Sequence, residues 1–388
     1  MNQAPATVLN DEIAALNWAQ LWQFIHNHHL LPVVHQVLHR ANLMQALPNR
    51  AIQTKAQQQM VQRNFYLSIN TLNLLDALQP EGVRALPLKG SLLSLQIYDN
   101  LALREPGDID LLIDDRDSDR VLTLLKDLGY TWPLAQQWSP TQQRLYIAQQ
   151  GEISCFSKEK SISVDLHFRW SGNPQLFTLD FEQAWQSATA LTVSAAHTVR
   201  VLCPEHQMLY LSVHGAKHQW SRLSWLLDIA MLIQQPLDWT IVQYEAERLN
   251  IQRPIHQALA LVEDFLGAVP ATVPAIYSKQ GQPPATQWLI DSAIANLQTV
   301  QPHSLTGHFD SPPATPHEIF YQTRYQMKLK PNLAYKLTAA KRLLFSARDW
   351  QVLQLPEPLW FLYVVLRPLL YCWRAIASQR NLEANEQH

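Results

Sequence analysis

Residues 107–113 read GDIDLLI, the pattern of a short β-strand with two acids near its beginning. Alternate residues of a strand point to the same face of a sheet, so Asp108 and Asp110 lie side by side. The apolar Ile109 and Leu111 point to the other face and predict that the strand packs on a core. Two neighbouring carboxylates repel each other unless a cation lies between them, and Mg²⁺ prefers such oxygen ligands. The stretch therefore predicts a metal-binding acidic pair on a buried strand.

The segment SISVDLHF, residues 161–168, repeats this pattern. Its alternate apolar residues predict one buried face, and Asp165 and His167 point to the other. If the two strands are neighbours, Asp165 joins Asp108 and Asp110, and three carboxylates can hold two metal ions about 3.5–4 Å apart. His167 could support the carboxylates, contact an acceptor or bind a backbone carbonyl, and the sequence leaves these alternatives open.

Gly90 and Ser91 stand in the segment LKGSLL, where a strand pattern passes into a helix pattern. The first N–H groups of a helix have no partner within the helix, and together with the helix dipole they favour a phosphate group. Lys89 and Arg104 could neutralise phosphate charge. The alternatives are that Lys89 lies in solvent and that Arg104 pairs with Glu105. The segment thus predicts a phosphate-binding turn upstream of the acidic strand.

The order of the predicted elements indicates an α+β architecture, in which a small mixed β-sheet core is flanked by N- and C-terminal helical segments. Apolar residues recur at helical spacing before and after the core, whereas strand patterns occur within it. We predict five segments: an N-terminal helical segment 1–80, the core 81–203, a helical segment 204–268 that closes the cleft, a proline-rich linker region 269–317 with one helix, and a C-terminal helical segment 318–388.

Composition excludes several classes of protein. A net charge of −2 and a pI near 6.7 provide no basic field for long nucleic acid. The three cysteines are far apart without CxxC spacing, which is typical of reduced thiols in the cytoplasm. The first residues lack a signal-peptide pattern, and the longest apolar run, residues 359–366, is shorter than the ~20 residues that span a bilayer. We therefore predict a cytoplasmic protein.

The motifs of the core resemble those of uncharacterised bacterial nucleotidyltransferases of the polymerase-beta superfamily. The similar positions in the core are Lys89-Gly90-Ser91, Tyr98, Arg104, Gly107 to Ile113, Gly129-Tyr130 and Val164 to His167. The similarity continues into the helical segment that follows, at Pro204-Glu205, His214, Lys217-His218, Trp220, Leu223 and Leu227-Asp228.

The resemblance implies a role for each matching position. The turn of Gly90 and Ser91 would hold a triphosphate, Asp108 and Asp110 would bind metal, and Asp165 would share the catalytic metal. The implied cofactor is Mg²⁺ or Mn²⁺, and the implied donor is a nucleoside triphosphate such as ATP. A nucleoside monophosphate would move to an acceptor with release of pyrophosphate. The acceptor could be a sugar phosphate, another metabolite, a peptide or a protein side chain.

Two other functions remain open at this point. One is a non-catalytic relative that binds a nucleotide or a partner protein, although three intact carboxylates argue against it. The other is a scaffold or peripheral membrane protein built around the C-terminal helices. A zinc site is a further alternative, because His214 and His218 have the four-residue spacing of a helical metal pair, but no third ligand is evident.

The C-terminal segment combines a basic stretch with an aromatic helix. Residues 324–348 contain seven lysines and arginines and no acid. The stretch LWFLYVVLRPLLYCW follows, and Pro368 within it should bend the helix. We predict that its apolar residues pack mainly against other helices and that the basic residues face solvent or an anionic acceptor. The residues expected to pack are Leu359, Phe361, Leu362, Val365 and Leu366.

Overall fold

A computed structural model describes residues 16–44, 49–105, 107–133, 136, 138–267, 269–277, 281–298, 315–344 and 346–385. It confirms the α+β class, with small sheets of four and two strands and helical segments at both ends. Part of the predicted proline-rich linker, residues 278–280 and 299–314, lies outside the described residues.

Three helices precede the sheet: α1 Trp18–Asn27, α2 Leu31–Arg40 and α3 Arg50–Leu78. The long α3 is a single helix of 29 residues. The buried Asn64 side chain of α3 donates hydrogen bonds to the carbonyl groups of Leu101 and Arg104, at 3.1 and 2.8 Å. This contact fixes the loop that leads into the acidic strand.

The main sheet has the order β1-β2-β4-β3, with β2 and β4 parallel and both outer pairs antiparallel. Asp110 on β2 lies directly opposite Asp165 on β4. The two acidic strands are therefore neighbours, which the convergence of their carboxylates requires. The strands are β1 Ala85–Pro87, β2 Ile109–Ile113, β3 Glu152–Ser157 and β4 Ile162–His167.

Four helices and a hairpin complete the core: α4 Gly90–Tyr98, α5 Ser118–Asp127, α6 Pro140–Gln150, α7 Phe181–Gln186, β5 Thr189–Ser194 and β6 His197–Val201. The sequence reading missed α6 because its residues are mostly polar. Its start carries a capping box, in which the Ser139 and Gln142 side chains each accept a hydrogen bond from the other's backbone N–H. That local signal could have revealed the helix.

The rest of the described chain is mostly helical, and a short irregular segment after Val352 separates the last two α-helices. Pro204 lies in the first turn of α8, where its missing N–H costs nothing. The helices are α8 Pro204–Lys217, α9 Leu223–Leu232, α10 Trp239–Arg248, α11 Gln252–Leu266, α12 Pro284–Gln298, α13 Pro316–Leu329, α14 Leu333–Leu343, α15 Asp349–Val352 and α16 Leu362–Asn385.

The main sheet lies between two hydrophobic cores. Ile109, Val164 and Leu166 belong to the core that includes residues of α3, α5 and α16. Leu112, on the opposite face, belongs to the core built from α8 to α12. Because Asp110 is two residues from Leu112, the acidic face of the sheet is the one that α8 to α12 cover.

The prediction for the C-terminal helix is wrong at three residues. Leu359, Phe361 and Val365 are exposed, at 41%, 65% and 71% of their surface. One face of α16 does pack, through Tyr363 and Leu370, but an apolar sequence cannot show that the opposite face has no covering partner. Among the described residues, no helix combines the length and apolar composition that crossing a bilayer requires.

Candidate active site

Asp110 is the most heavily partnered residue of the acidic face. It is 3% exposed, and its Oδ1 atom lies 2.8 Å from Lys89 Nζ and 2.9 Å from His167 Nε2. Its Oδ2 atom makes no hydrogen bond or ion pair with any described residue. One oxygen of the carboxylate is therefore held by two cationic groups, and the other remains able to accept a ligand.

These contacts determine the charge of all three groups. Burial alone would raise the pKa of Asp110, but Lys89 and His167 outweigh burial and hold it below its usual range. Burial would lower the pKa of Lys89, but chiefly the Asp110 carboxylate raises it above its usual range. Burial would lower the pKa of His167, but the hydrogen bond to Asp110 and the ion pair with Glu152 raise it to about 9. At neutral pH the Asp110 anion thus lies between an ammonium and an imidazolium group.

Glu152 is a site residue that the sequence reading missed. Its Oε2 atom lies 3.2 Å from Nδ1 of His167, on the side of the ring away from Asp110. Burial would raise the pKa of Glu152, but the contact with His167 and the charge of Lys217 lower it below its usual range. The alternation of Glu152 and Ser154 with buried residues along β3 was the available signal.

Five side chains therefore form a row of alternating charge across the acidic face: Lys89, Asp110, His167, Glu152 and Lys217. We call it the charge row. Two alternatives that the sequence left open are wrong: Lys89 does not lie in solvent, and His167 does not bind a backbone carbonyl. Both side chains are instead ordered by Asp110.

Asp108 and Asp165 form a second acidic pair beside the charge row. The charge of Asp110, burial and the nearby Asp165 together raise the pKa of Asp108 to about 7. Burial and the charge of Asp110 also raise the pKa of Asp165, against a hydrogen bond from Ser154. The two side chains are within hydrogen-bonding reach of each other, so one proton can bridge them near neutral pH.

The predicted convergence of three carboxylates is incomplete in this arrangement. Within the described ranges, no three histidine, cysteine, aspartate or glutamate side chains already surround a common point as metal ligands. The physical reason is that Lys89 and His167 hold Asp110, while Asp108 and Asp165 face each other. The donor atoms nevertheless suit a hard divalent cation, since it would replace the bridging proton and use the free Oδ2 atom of Asp110.

The predicted phosphate turn lies next to these acids. Gly90 begins α4 with a φ of +75°, a left-handed conformation that favours glycine, and no side chain caps this N-terminus. Ser91 is buried in the first turn. A cavity of about 120 Å³, here called the turn cavity, borders the turn, and its lining includes Lys89, Gly90, Arg104, Asp108, Asp110 and Arg222.

Arg104 pairs with Asp228 and not with Glu105. Its Nε atom lies 3.0 and 2.9 Å from the two carboxylate oxygens, and the Tyr98 hydroxyl donates to Oδ1 of Asp228 at 3.0 Å. Asp228 is completely buried. The Nη groups of Arg104 make no hydrogen bond with the described residues, so the pair orients a guanidinium group that still has free donors at the turn cavity.

Helix α8 covers the acidic face with one side. Tyr210, His214 and Lys217 recur at three- and four-residue spacing, and each is electrostatically coupled to Lys89. Burial first, and then neighbouring cations, lower the pKa of His214 and His218 well below the usual range. Neutral histidines could bind zinc, but no third ligand joins them within the described part of the chain.

The sequence matches a known protein family. The sequence model of a family described as uncharacterised nucleotidyltransferases matches residues 14–267, which include the N-terminal helices, the main sheet, the turn and α8 to α11. No curated protein matches this sequence.

Proposed function

The chain belongs to a family of uncharacterised nucleotidyltransferases, and from this premise we propose that it is a metal-dependent enzyme of the polymerase-beta superfamily. It would move a nucleoside monophosphate from a nucleoside triphosphate, such as ATP, to an acceptor. The observation that carries the proposal is the placement of Asp110 and Asp165 on neighbouring strands, with Asp108 directly before β2, beside the uncapped N-terminus of α4.

The reaction needs few covalent steps from the protein. An acceptor oxygen forms a bond to the α-phosphorus, the bond from that phosphorus to the bridging oxygen breaks, and pyrophosphate leaves with the electron pair. The acceptor proton passes to Asp165, the carboxylate nearest β3. Mg²⁺ or Mn²⁺, held by Asp108, Asp110 and Asp165, would neutralise phosphate charge.

The cationic residues around the turn cavity position the donor. Arg104 and Arg222 line that cavity and can donate to phosphate oxygens, for which a guanidinium fork is well suited. The N–H groups at the start of α4 add further donors. Lys89 is placed to exchange Asp110 for a phosphate oxygen, because its ammonium group borders the same cavity.

A second candidate is a nucleotide-binding relative without catalytic activity. The observation in its favour is the neutralisation of Asp110 by Lys89 and His167, which a metal ion must compete against.

We also propose a cytoplasmic location, because Cys155, Cys203 and Cys372 are all free thiols.

Transfer of a labelled nucleotide tests the proposed function. We expect label from α-labelled ATP to enter a pool of sugar phosphates, metabolites and peptides only when Mg²⁺ or Mn²⁺ is present. Label at the γ-phosphate should leave as pyrophosphate, and this control separates nucleotidyl from phosphoryl transfer. Divalent-dependent ATP binding without transfer to any acceptor, water included, would support the non-catalytic candidate instead.

The raised pKa of Asp108 predicts that metal binding depends on pH. Below pH 7 a divalent cation must displace the proton that Asp108 retains, so affinity should be about tenfold higher at pH 8 than at pH 6. Calorimetry with Mn²⁺ in buffers of different ionisation enthalpy measures both affinity and proton release. An Asp108→Asn variant should abolish the proton release.

The raised pKa of Asp108 also makes the stability of the fold depend on pH. Because the folded-state pKa lies above the unfolded value of about 4, Asp108 stabilises the metal-free fold at low pH and loses this effect as the pH rises through about 7. Metal should therefore raise the melting temperature more at pH 8 than at pH 6. Equal metal affinity at both pH values would contradict the shared proton.

A further inference from the structure

A second cavity, of about 530 Å³, lies at the β3 edge of the acidic face. Its walls come from the end of α6, the start of β3, the last residue of α8 and helices α13, α14 and α16. Its volume falls within the range of about 300–1,000 Å³ that is usual for small-molecule sites. Because the sheet order is β2-β4-β3, this cavity and the turn cavity lie on opposite sides of Asp165.

The lining of this cavity is strongly basic, although the whole chain has a net charge of −2. Its cationic residues are Lys217, Arg342, Arg348, Arg367 and Arg374. Among its described lining residues, only Glu152 is acidic. We call it the cationic cavity.

Internal contacts leave most of this positive charge uncompensated. Arg367 and Arg374 share one carboxylate, that of the buried Asp349, at 3.6 and 3.1 Å. Arg342 donates to the backbone carbonyl groups of Gln149 and Gly172, which are uncharged. Four of the cations, Lys217, Arg342, Arg367 and Arg374, exceed Asp349 and Glu152 by two, and Glu152 also contacts His167. Such an excess in a half-enclosed space favours an anion of multiple charge.

Lys217 makes the fewest polar contacts among the cations of this cavity. Its ammonium group makes no hydrogen bond or ion pair with any described residue, although it interacts electrostatically with Glu152. Burial, as the largest influence, lowers its pKa. Lys217 is half-buried and borders the cavity, so a bound anion would supply the hydrogen-bond acceptor that its ammonium group lacks.

The charge row connects the cationic cavity to the proposed reaction centre. Lys217 and Glu152 both line the cavity and are the last two members of the row. Ser154 lies two residues from Glu152 on the same face of β3, and its register partner is Asp165. The path from the cavity edge therefore runs roughly 7 Å along β3 to Ser154 and then about 5 Å across to Asp165 on β4.

We propose that the cationic cavity is the acceptor site, and that its acceptor is a small molecule carrying a phosphate ester. The inference rests on the function proposed above and narrows its acceptor class. A phosphate dianion matches the excess of positive charge, and arginine forks and an ammonium group are its usual partners. The phosphate is an anchor here, and the reacting hydroxyl is elsewhere on the molecule, towards Asp165.

The test compares three sugars of equal carbon number by calorimetry, in buffer freed of metal by a chelating resin. We expect ribose 5-phosphate to bind, ribonate to bind more weakly and ribose not to bind. A Lys217→Gln variant should bind ribose 5-phosphate at least about tenfold more weakly, which corresponds to the loss of one charge-assisted hydrogen bond. Lys341→Gln, an equal charge loss at an exposed residue outside the cavity, should change affinity less than about twofold.

The outcomes separate this inference from the proposed function. Lys217→Gln should weaken ribose 5-phosphate binding more than Mg–ATP binding, and Lys217→Arg should restore most ribose 5-phosphate binding. Lys341→Gln should leave Mg–ATP binding within about twofold of the native chain. If Lys217→Gln does not fold, Arg348→Gln on another wall serves as the test. Native protein that binds Mg–ATP but not ribose 5-phosphate would overturn the acceptor site alone, as would equal losses of both ligands in Lys217→Gln. Failure to bind Mg–ATP would instead count against the proposed function.

Discussion

An Asp165→Asn variant should release pyrophosphate from ATP at least about a hundredfold more slowly than the native chain and remain folded. The carboxylate of Asp165 would act on charge that develops in the transition state, and loss of one such group commonly has an effect of this size. Folding should be preserved because Asp165 is half-buried and its neighbours are Ser154 and Asp108, to which an amide can also bind. Pyrophosphate release and a denaturant melt on the same sample measure both properties.

Asp119→Asn is the matched control, since it removes an equal charge from an exposed residue of the same sheet unit. It should leave turnover and stability unchanged. Asp110→Asn is a less informative variant, because Lys89 and His167 would lose the anion that both bind. It should reduce turnover and stability together. Native rates of pyrophosphate release in Asp165→Asn would exclude a catalytic role for that carboxylate.

An Asp228→Leu variant should lower the free energy of unfolding by about 3–5 kcal/mol, because it leaves the buried Arg104 guanidinium without its anion. Asp228 is completely buried, and Arg104 contacts both of its oxygens. The double variant Arg104→Met/Asp228→Leu should recover most of this loss, since two apolar side chains then fill the site. Chemical denaturation of the native chain, both single variants and the double variant gives the coupling energy.

The exposed pair of Arg120 and Asp117 is the control for this cycle, with 52% and 18% of their side-chain surface accessible. Asp117→Asn should change stability by no more than about 1 kcal/mol, as surface pairs usually do. If Asp228→Leu unfolds at the same denaturant concentration as the native chain, the pair does not hold α9 against the loop of Arg104.

The sequence predicts those parts of the site that depend on local periodicity. Alternation along two short segments was enough to place Asp110 and Asp165 on the polar faces of β2 and β4, with Asp108 directly before β2, and their apolar neighbours in a core. The glycine at the start of α4 was likewise predictable, because a strand-to-helix turn often needs a left-handed residue. Both inferences use residues that are close together in the chain.

Partner identities could not be predicted in the same way. Arg104 lies beside Glu105 in sequence, yet it pairs with Asp228, which is 124 residues away. Glu152 meets His167 only because β3 and β4 form a hairpin with that register. The exposed side chains of Phe361 and Val365 show the same limit, since their apolar character does not specify which surface, if any, covers them.

Lys89 supplies the site with a counter-ion of its own. Because its ammonium is tethered to the turn, its local concentration does not fall on dilution, and a cation that also takes the Oδ1 atom of Asp110 must displace the ammonium group. The displaced ammonium then needs another anion, which a triphosphate at the start of α4 would provide. Free Mg²⁺ would leave the displaced Lys89 ammonium without an anion, and free nucleotide would leave Asp110 without a cation. The complex of metal and nucleotide supplies both partners. The tether thereby makes the proposed site selective for the metal–nucleotide complex over its separate components.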